Sequence, residues 1–241
     1  MSPLPDLAIA AIIPAAGVGK RMQANIPKQY LPLNGKTILQ HSVERISAHP
    51  EIDMLWLALD SADPYFATTP LADADITRVA GGTERVHSVL NALNEIDASV
   101  YPWVLVHDAA RPLVRQADIS TLIARCRRVG HGGILACPVR DTMKRGDAGA
   151  SETLVLATVE REQLWHALTP QLFPTALLRQ AIIGALAKGV IITDEASAME
   201  WAGQPVLLVE GAADNIKITR PTDLTLAGYF LTQQDLEYPT T

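Results

Sequence analysis

The chain has 241 residues, 48% of them hydrophobic and 19% charged, with a formal net charge of -6 and two cysteines. No apolar run approaches the ~20 residues of a membrane-spanning helix, and an acidic balance without clustered excess Lys and Arg argues against a broad nucleic-acid surface. Cys126 and Cys137 lack metal-ligand spacing, and Met1-Ser2-Pro3-Leu4-Pro5-Asp6 lacks the basic and apolar regions of a secretory signal, so a cytoplasmic protein with two small buried thiols is expected.

The first element is an apolar run, Leu7 to Ile13, which reads as a buried strand. It is followed by Pro14-Ala15-Ala16-Gly17-Val18-Gly19-Lys20-Arg21-Met22 and, a few residues later, by Pro27-Lys28-Gln29-Tyr30. Small residues there let a ligand approach the main chain, and a strand-to-helix turn would add backbone N–H groups and the positive end of a helix. Lys20, Arg21 and Lys28 bring cations to the same loop, which predicts a triphosphate site. Two better-known phosphate loops do not fit. A dinucleotide fingerprint would need glycine where Met22 stands, and a Walker loop needs Ser or Thr after Gly-Lys, where Arg21 stands.

Short apolar runs then alternate with helical patterns: a helix over Thr37 to Ala48, strands over Met54 to Leu59 and Ile76 to Val79, and a helix over Glu84 to Asn94. A strand over Trp103 to His107, a helix over Ala117 to Arg128 and a strand over Ile134 to Val139 follow. Such alternation predicts a mostly parallel sheet with helices on both faces, with ligands bound where strand ends enter loops. Those loops carry the glycine stretch, Gly81-Gly82-Thr83-Glu84-Arg85 and His107-Asp108-Ala109-Ala110-Arg111-Pro112. Residues 140–164 break the rhythm and read as a two-stranded β-arm, which an isolated hairpin's marginal stability would press against a second copy of the chain. A homodimer is therefore expected.

Beyond Pro174 a helix is expected to about Lys188, stopped by Gly189, and a second opens with the Thr193 hydroxyl as its cap. Val206 to Glu210 and Asn215 to Thr219 read as strands, Arg220-Pro221 starts the last helix, and Gln233 to Thr241 read as frayed. The six histidines show no zinc-like spacing. His107 is tempting as a base beside Asp108, but neighbours on a strand point to opposite faces, so a structural role is expected for it.

Taken together, the glycine loop, Pro27-Lys-Gln-Tyr, Gly81-Gly-Thr-Glu-Arg, His107-Asp-Ala-Ala-Arg-Pro, Pro138-Val-Arg-Asp-Thr-Met-Lys, Thr193-Asp-Glu-Ala-Ser and Asp214-Asn-Ile-Lys-Ile-Thr closely resemble the 2-C-methyl-D-erythritol 4-phosphate cytidylyltransferase family, in the family's order. The resemblance implies a single Rossmann-like nucleotidyltransferase domain over 1–241, a three-layer α/β/α sandwich with the 140–164 arm used for dimerisation. It implies transfer of CMP from CTP to methylerythritol phosphate with release of pyrophosphate, in the non-mevalonate route to isoprenoids.

By position, the resemblance makes Arg21 and Lys28 the catalytic cations and puts Ala15, Ala16, Gly17 and Gly19 around the CTP phosphates, with Lys20 beside them. Gly82, Thr83 and Ser88 would meet the cytosine, Asp108 the ribose and the metal, and Pro14, Arg85 and Ala109 belong to the same CTP-binding set. Arg111, Thr193 and Lys217 would hold the acceptor phosphate, and Thr142 and Arg161 would reach the partner subunit's site. The implied cofactor is Mg²⁺ or another divalent cation, bound mainly by the CTP phosphates.

Elementary chemistry supports this set. A phosphate monoester with a second pKa near 6 is already ionised at neutral pH, so the acceptor needs no general base, and the absence of a Ser/His/Asp triad is expected. The need is for fixed positive charge around an in-line phosphoryl transition state. Taken singly, Lys28, Arg111 and Lys217 would be solvated surface charges, Thr142 a turn residue and Arg161 an arm charge; it is their joint occurrence that singles them out. Two alternatives stay open: a cytidylyltransferase for another polyol phosphate such as ribitol 5-phosphate, and a non-catalytic CTP-binding module.

Overall fold

The computed structural model describes residues 8–17, 19, 22, 25–147 and 152–237. Lys20 and Arg21 lie outside the described residues. Strand β1 (Ile9–Pro14) opens the chain, and a two-stranded hairpin, β2 (Pro32–Leu33) and β3 (Lys36–Thr37), precedes helix α1 (Ile38–Ser47). There follow β4 (Met54–Leu59), β5 (Thr77–Ala80), α2 (Arg85–Glu95), β6 (Trp103–Val106), α3 (Gln116–Val129) and β7 (Gly133–Pro138). The arm consists of β8 (Met143–Asp147) and β9 (Leu154–Val159), and the chain returns through β10 (Trp165–Pro174). The remaining elements are α4 (Thr175–Ala187), α5 (Glu195–Trp201), β11 (Leu207–Glu210) and α6 (Pro221–Glu237).

The central sheet has the order β11-β7-β10-β6-β1-β4-β5 and is parallel except for β10, which runs antiparallel to β6 and β7. Alternation sorts each strand's residues between two cores. Ile9, Ala11 and Ile13 join Leu39, Val43 and Ile46 of α1 and the apolar stripe of α3 on one face. Ala10 and Ile12 meet α2, α4 and α5 on the other. Near-continuous apolar runs such as Ile9–Pro14 are what a sheet buried on both faces requires. A smaller core of Met22, Leu33, Ile38, Leu113 and Ile218 seats Ala227 and Leu231 of α6 against the body.

Several expectations are corrected. Strand β10 has no counterpart in the sequence reading, because Thr169-Pro170-Gln171 interrupts its apolar pattern; the pairing shifts register there, which is how a sheet interior accommodates proline. The expected turn into a helix after the glycine loop falls largely on residues 18, 20, 21, 23 and 24, which lie outside the described residues; the first α-helix described starts at Ile38. Residues 215–219 form no strand; one backbone bond, from Ile218 N to Ala110 O at 2.9 Å, ties them to the body, and the Lys28 and Arg111 side chains donate to Ile218 O and Asn215 O. Asp194, not Thr193, caps α5, through a reciprocal pair with Ser197. The end of α6 is ordered to Glu237, because Gln234 packs inward and donates to Leu113 O; residues 238–241 lie outside the described residues.

Candidate active site

Topology places the site. The chain runs from β1 through α1 to β4 and on to β5, then returns through α2 on the opposite face to β6, on the other side of β1. Loops leaving neighbouring parallel strands therefore diverge at their carboxyl ends and leave a crevice, the standard ligand position in such sheets. It is lined by Pro14, Ala15, Ala16 and Gly17 from the first strand's end, Gly82, Thr83, Glu84, Arg85 and Ser88 from the loop and helix after β5, Asp108, Ala109 and Ala110 after β6, and Lys28, Gln29 and Lys217. The sequence reading could name these endings but not show that they meet.

Local packing fixes each wall. Gln29 is buried and donates from Nε2 to Ala15 O at 2.7 Å, holding the glycine loop from beneath. Gly19 has φ +64°, and a Cβ there would sit 2.7 Å from Lys28 Cγ, so glycine permits both the turn and the close passage of the Lys28 stem. The Lys28 ammonium donates to Ile218 O at 3.0 Å. Gly82 N donates to Ser88 Oγ at 3.0 Å, closing the turn into α2. Thr83 Oγ1 lies 3.1 Å from His87 Nδ1.

Asp108 is the electrostatic centre. Only 7% exposed, it lies 2.9 Å from Arg85 Nε, 2.8 Å from Lys217 Nζ and 3.5 Å from Arg111 Nε. Burial would raise its carboxyl, but Arg85, Lys217 and Arg111 outweigh burial and hold it far below the usual carboxylate range. Arg85 also forks onto Glu195, 2.6 Å from Nη1 to Oε1 and 2.9 Å from Nη2 to Oε2, and Glu195 is 2% exposed. Against the burial that would lower it, Glu195 and Asp108 push the guanidinium of Arg85 upward, so it stays charged. Arg111 donates from Nη1 to Asn215 O at 2.8 Å, and its burial lowers it more than Asp108 raises it.

His107 is fully enclosed. Its Nε2 lies 2.9 Å from Arg111 O and its Nδ1 3.0 Å from Thr169 Oγ1, which also accepts from Asp108 N at 3.0 Å. Burial pushes the ring down to about 4, so it is neutral, with Nε2–H donating and Nδ1 accepting. The ring ties the Asp108 loop to β10; because the strand ends at Val106, its enclosure comes from these contacts and not from the strand alternation expected of it.

The other sequence-predicted residues stand apart from the crevice lining. Thr142 precedes β8, and Arg161 follows β9 and donates to Arg140 O, at the base of the arm. Thr193 is exposed, two residues before Glu195. Gln29, Thr169, Glu195 and Asn215 are structural partners of the site that sequence reasoning did not assign. Gln29, Glu195 and Asn215 stood inside quoted motifs, but a polar residue's burial shows in no periodicity.

Among the described residues no group of three or more His, Cys, Asp or Glu could cage a metal ion. Asp108 and Glu84 are the carboxylates lining the crevice. That sparse donor set suits an ion that arrives ligated by substrate phosphates, the usual situation for Mg²⁺.

Residues 9–233 match the family model described as 2-C-methyl-D-erythritol 4-phosphate cytidylyltransferase. The chain is 57% identical over 234 residues to the enzyme of that name from Colwellia psychrerythraea, covering 95% of this chain and 96% of the relative. A solved 4-diphosphocytidyl-2C-methyl-D-erythritol synthase superposes with a TM-score of 0.80 at 34% identity, over 93% of this chain and 98% of that one. The Thermus thermophilus 2-C-methyl-D-erythritol 4-phosphate cytidylyltransferase gives 0.77 at 31% identity, over 94% and 100%. With the crevice geometry these matches agree throughout: the chain belongs to the 2-C-methyl-D-erythritol 4-phosphate cytidylyltransferase family.

Proposed function

We propose that this protein transfers CMP from CTP to 2-C-methyl-D-erythritol 4-phosphate, giving 4-diphosphocytidyl-2-C-methyl-D-erythritol and pyrophosphate. The observation that carries the reading is the convergence of the Pro14–Gly17 backbone, Lys28, the Gly82–Ser88 turn and the Asp108–Lys217 pair in one crevice. An acceptor phosphate oxygen forms a bond to the α-phosphorus as the bridging bond to the β-phosphate breaks, and pyrophosphate departs with the electron pair. The acceptor phosphate is already ionised at neutral pH, so no residue must take a proton, consistent with a buried, neutral His107.

Repulsion between anions is then the barrier to be lowered. Lys28 and Arg21 act at the α-phosphoryl oxygens, while the backbone of Ala15, Ala16, Gly17 and Gly19, with Lys20, surrounds the phosphate tail. Pro14, Gly82, Thr83, Arg85, Ser88 and Ala109 form the nucleoside end, the Gly82 turn reading the base through main-chain groups. Mg²⁺ would be held by the CTP phosphates with Asp108 beside it, and when bound it supplies neutralisation of the nucleotide's charge. Arg111, Thr193 and Lys217 bind the acceptor phosphate.

The chain works as a single catalytic domain whose 140–164 arm pairs it with a second copy. Support comes from Leu154, Val155 and Leu156, which are 60%, 66% and 64% exposed on β9. Such a run is costly in water unless another surface covers it. Thr142 and Arg161 at the arm's base then serve the partner's site. No described helix is long and apolar enough to cross a membrane.

The test is pyrophosphate release with CTP, Mg²⁺ and methylerythritol phosphate, with the other nucleoside triphosphates and ribitol 5-phosphate as controls. Release specific to CTP and methylerythritol phosphate is expected. Preference for ribitol 5-phosphate would transfer the reading to that substrate, and CTP binding with no release on any acceptor would leave a non-catalytic module. Sedimentation as a monomer at micromolar concentration would remove the dimer.

A further inference from the structure

Between β11 and α6 the chain runs past the crevice as a strap. Lys217 on it reaches Asp108 at 2.8 Å, Ile218 O accepts from the Lys28 ammonium at 3.0 Å, and Asn215 O accepts from Arg111 at 2.8 Å. Residues 214–219 form no strand, and Ile218 N to Ala110 O, at 2.9 Å, is their backbone bond to the loop after β6. A segment without a ladder keeps its course only where side chains tether it.

Helix α6 tethers both ends. At the far end Asp223 Oδ2 accepts from Thr219 N, Thr219 Oγ1 and Arg220 N, each at 2.8 Å. At the near end Asp214 Oδ2 accepts from Arg115 Nη2 at 2.6 Å and from Gln234 Nε2, on α6, at 3.0 Å. Gln234 is 4% exposed and also donates to Leu113 O at 3.1 Å, which joins the tether to the loop that carries Arg111. Asp214 itself is absent from the crevice lining.

The two ends of this arrangement differ in stiffness. Charge-assisted bonds such as Arg115 to Asp214 are short and strong, and Asp214 foremost keeps that guanidinium charged. The Lys217 side chain, by contrast, is 39% exposed on a flexible stem, so its ammonium is placed by where its backbone lies. Asp214 stands three residues before it, a reach of about 10 Å at most, so a displaced anchor displaces the lysine.

We propose that Asp214 is a positioning residue for Lys217: through its bonds to Arg115 and Gln234 it sets where the strap presents that ammonium to the acceptor's phosphate. This role rests on the transfer to methylerythritol phosphate proposed above.

The test is steady-state pyrophosphate release by Asp214→Ala, in the wild-type and the Lys217→Ala backgrounds. Asp214→Ala should raise the acceptor KM about tenfold while CTP KM stays within about twofold, as expected of a misplaced binding group. In the Lys217→Ala background the same substitution should change acceptor KM by less than about twofold, because the group it positions is gone. A role in stability alone would lower the thermal midpoint and the active fraction without moving acceptor KM. Where Asp214→Ala fails to fold, Arg115→Met removes the tether's other half at a side chain 29% exposed, and acceptor KM should rise about threefold or more. Wild-type protein that releases no pyrophosphate would sink the proposed function and this role with it. With an active wild type, an unmoved acceptor KM in Asp214→Ala or Arg115→Met, or equal factors in the two backgrounds, would overturn the positioning role alone.

Discussion

Replacing Arg85 with Met tests how the site is held together. Arg85 is the partner of a carboxylate 2% exposed, Glu195, through two bonds of 2.6 and 2.9 Å, and it also holds Asp108 at 2.9 Å. The two acids differ in what remains when the guanidinium is removed. Asp108 keeps Lys217 at 2.8 Å and Arg111 at 3.5 Å. Glu195 has no other ion pair among the described residues, so a buried carboxylate is left uncompensated. Breaking such a pair from one side costs about 3–5 kcal/mol. For a chain of 241 residues, at about 2 °C per kcal/mol, the thermal midpoint should fall by roughly 6–10 °C.

The assay is thermal unfolding of the ligand-free protein as a double-mutant cycle with Glu195→Leu. Arg85→Met/Glu195→Leu should recover a substantial part of the loss, because no buried charge is then left alone. CTP KM should change less in that double variant than in Arg85→Met alone. An Arg85→Met protein with an unchanged midpoint, or a double variant with additive losses, would refute the reasoning and return Arg85 to a role in nucleotide contact alone.

Lys28→Ala should lower kcat about a hundred- to thousandfold, the ~3–4 kcal/mol carried by one preorganised oxyanion partner, with a modest change in CTP KM; near-normal turnover would remove Lys28 from the chemistry. Lys217→Ala should raise the acceptor KM about 10- to 100-fold while CTP KM stays nearly constant, measured by steady-state pyrophosphate release. His107 is held down to about 4 in the fold against an ordinary value near 6.5, so the unfolded chain binds a proton first as pH falls. Its contribution is whole above about pH 6.5 and is lost between there and about pH 4, on the order of 3 kcal/mol, and a His107→Gln protein should show a flatter midpoint-versus-pH curve over that window.

What could be read without coordinates was whatever depends on local order. Apolar runs such as Met54 to Leu59 and Ile134 to Val139 marked strands, the second observed one residue earlier as Gly133–Pro138, and the 3.6-residue recurrence of Ile38, Leu39, Val43 and Ile46 marked α1. The sequence also singled out the glycine loop, Lys28 and the Asp108 ending, and the structure brings Pro14 to Gly17, Lys28 and Asp108 into one crevice. Antiparallel β10 escaped because Pro170 and Gln171 break its pattern, and their register shift is tolerated only by pairing with β6 and β7. Capping by Asp194 rather than Thr193 was a choice between adjacent oxygens that only the backbone geometry makes.

The partnerships inside the site belong wholly to the tertiary structure. Arg85 and Glu195 lie 110 residues apart, and Arg111 and Asn215 lie 104 apart. Sequence states which groups carry charge, whereas the energy of a charge depends on burial and on what stands within a few ångströms of it, quantities that exist only once distant segments have packed.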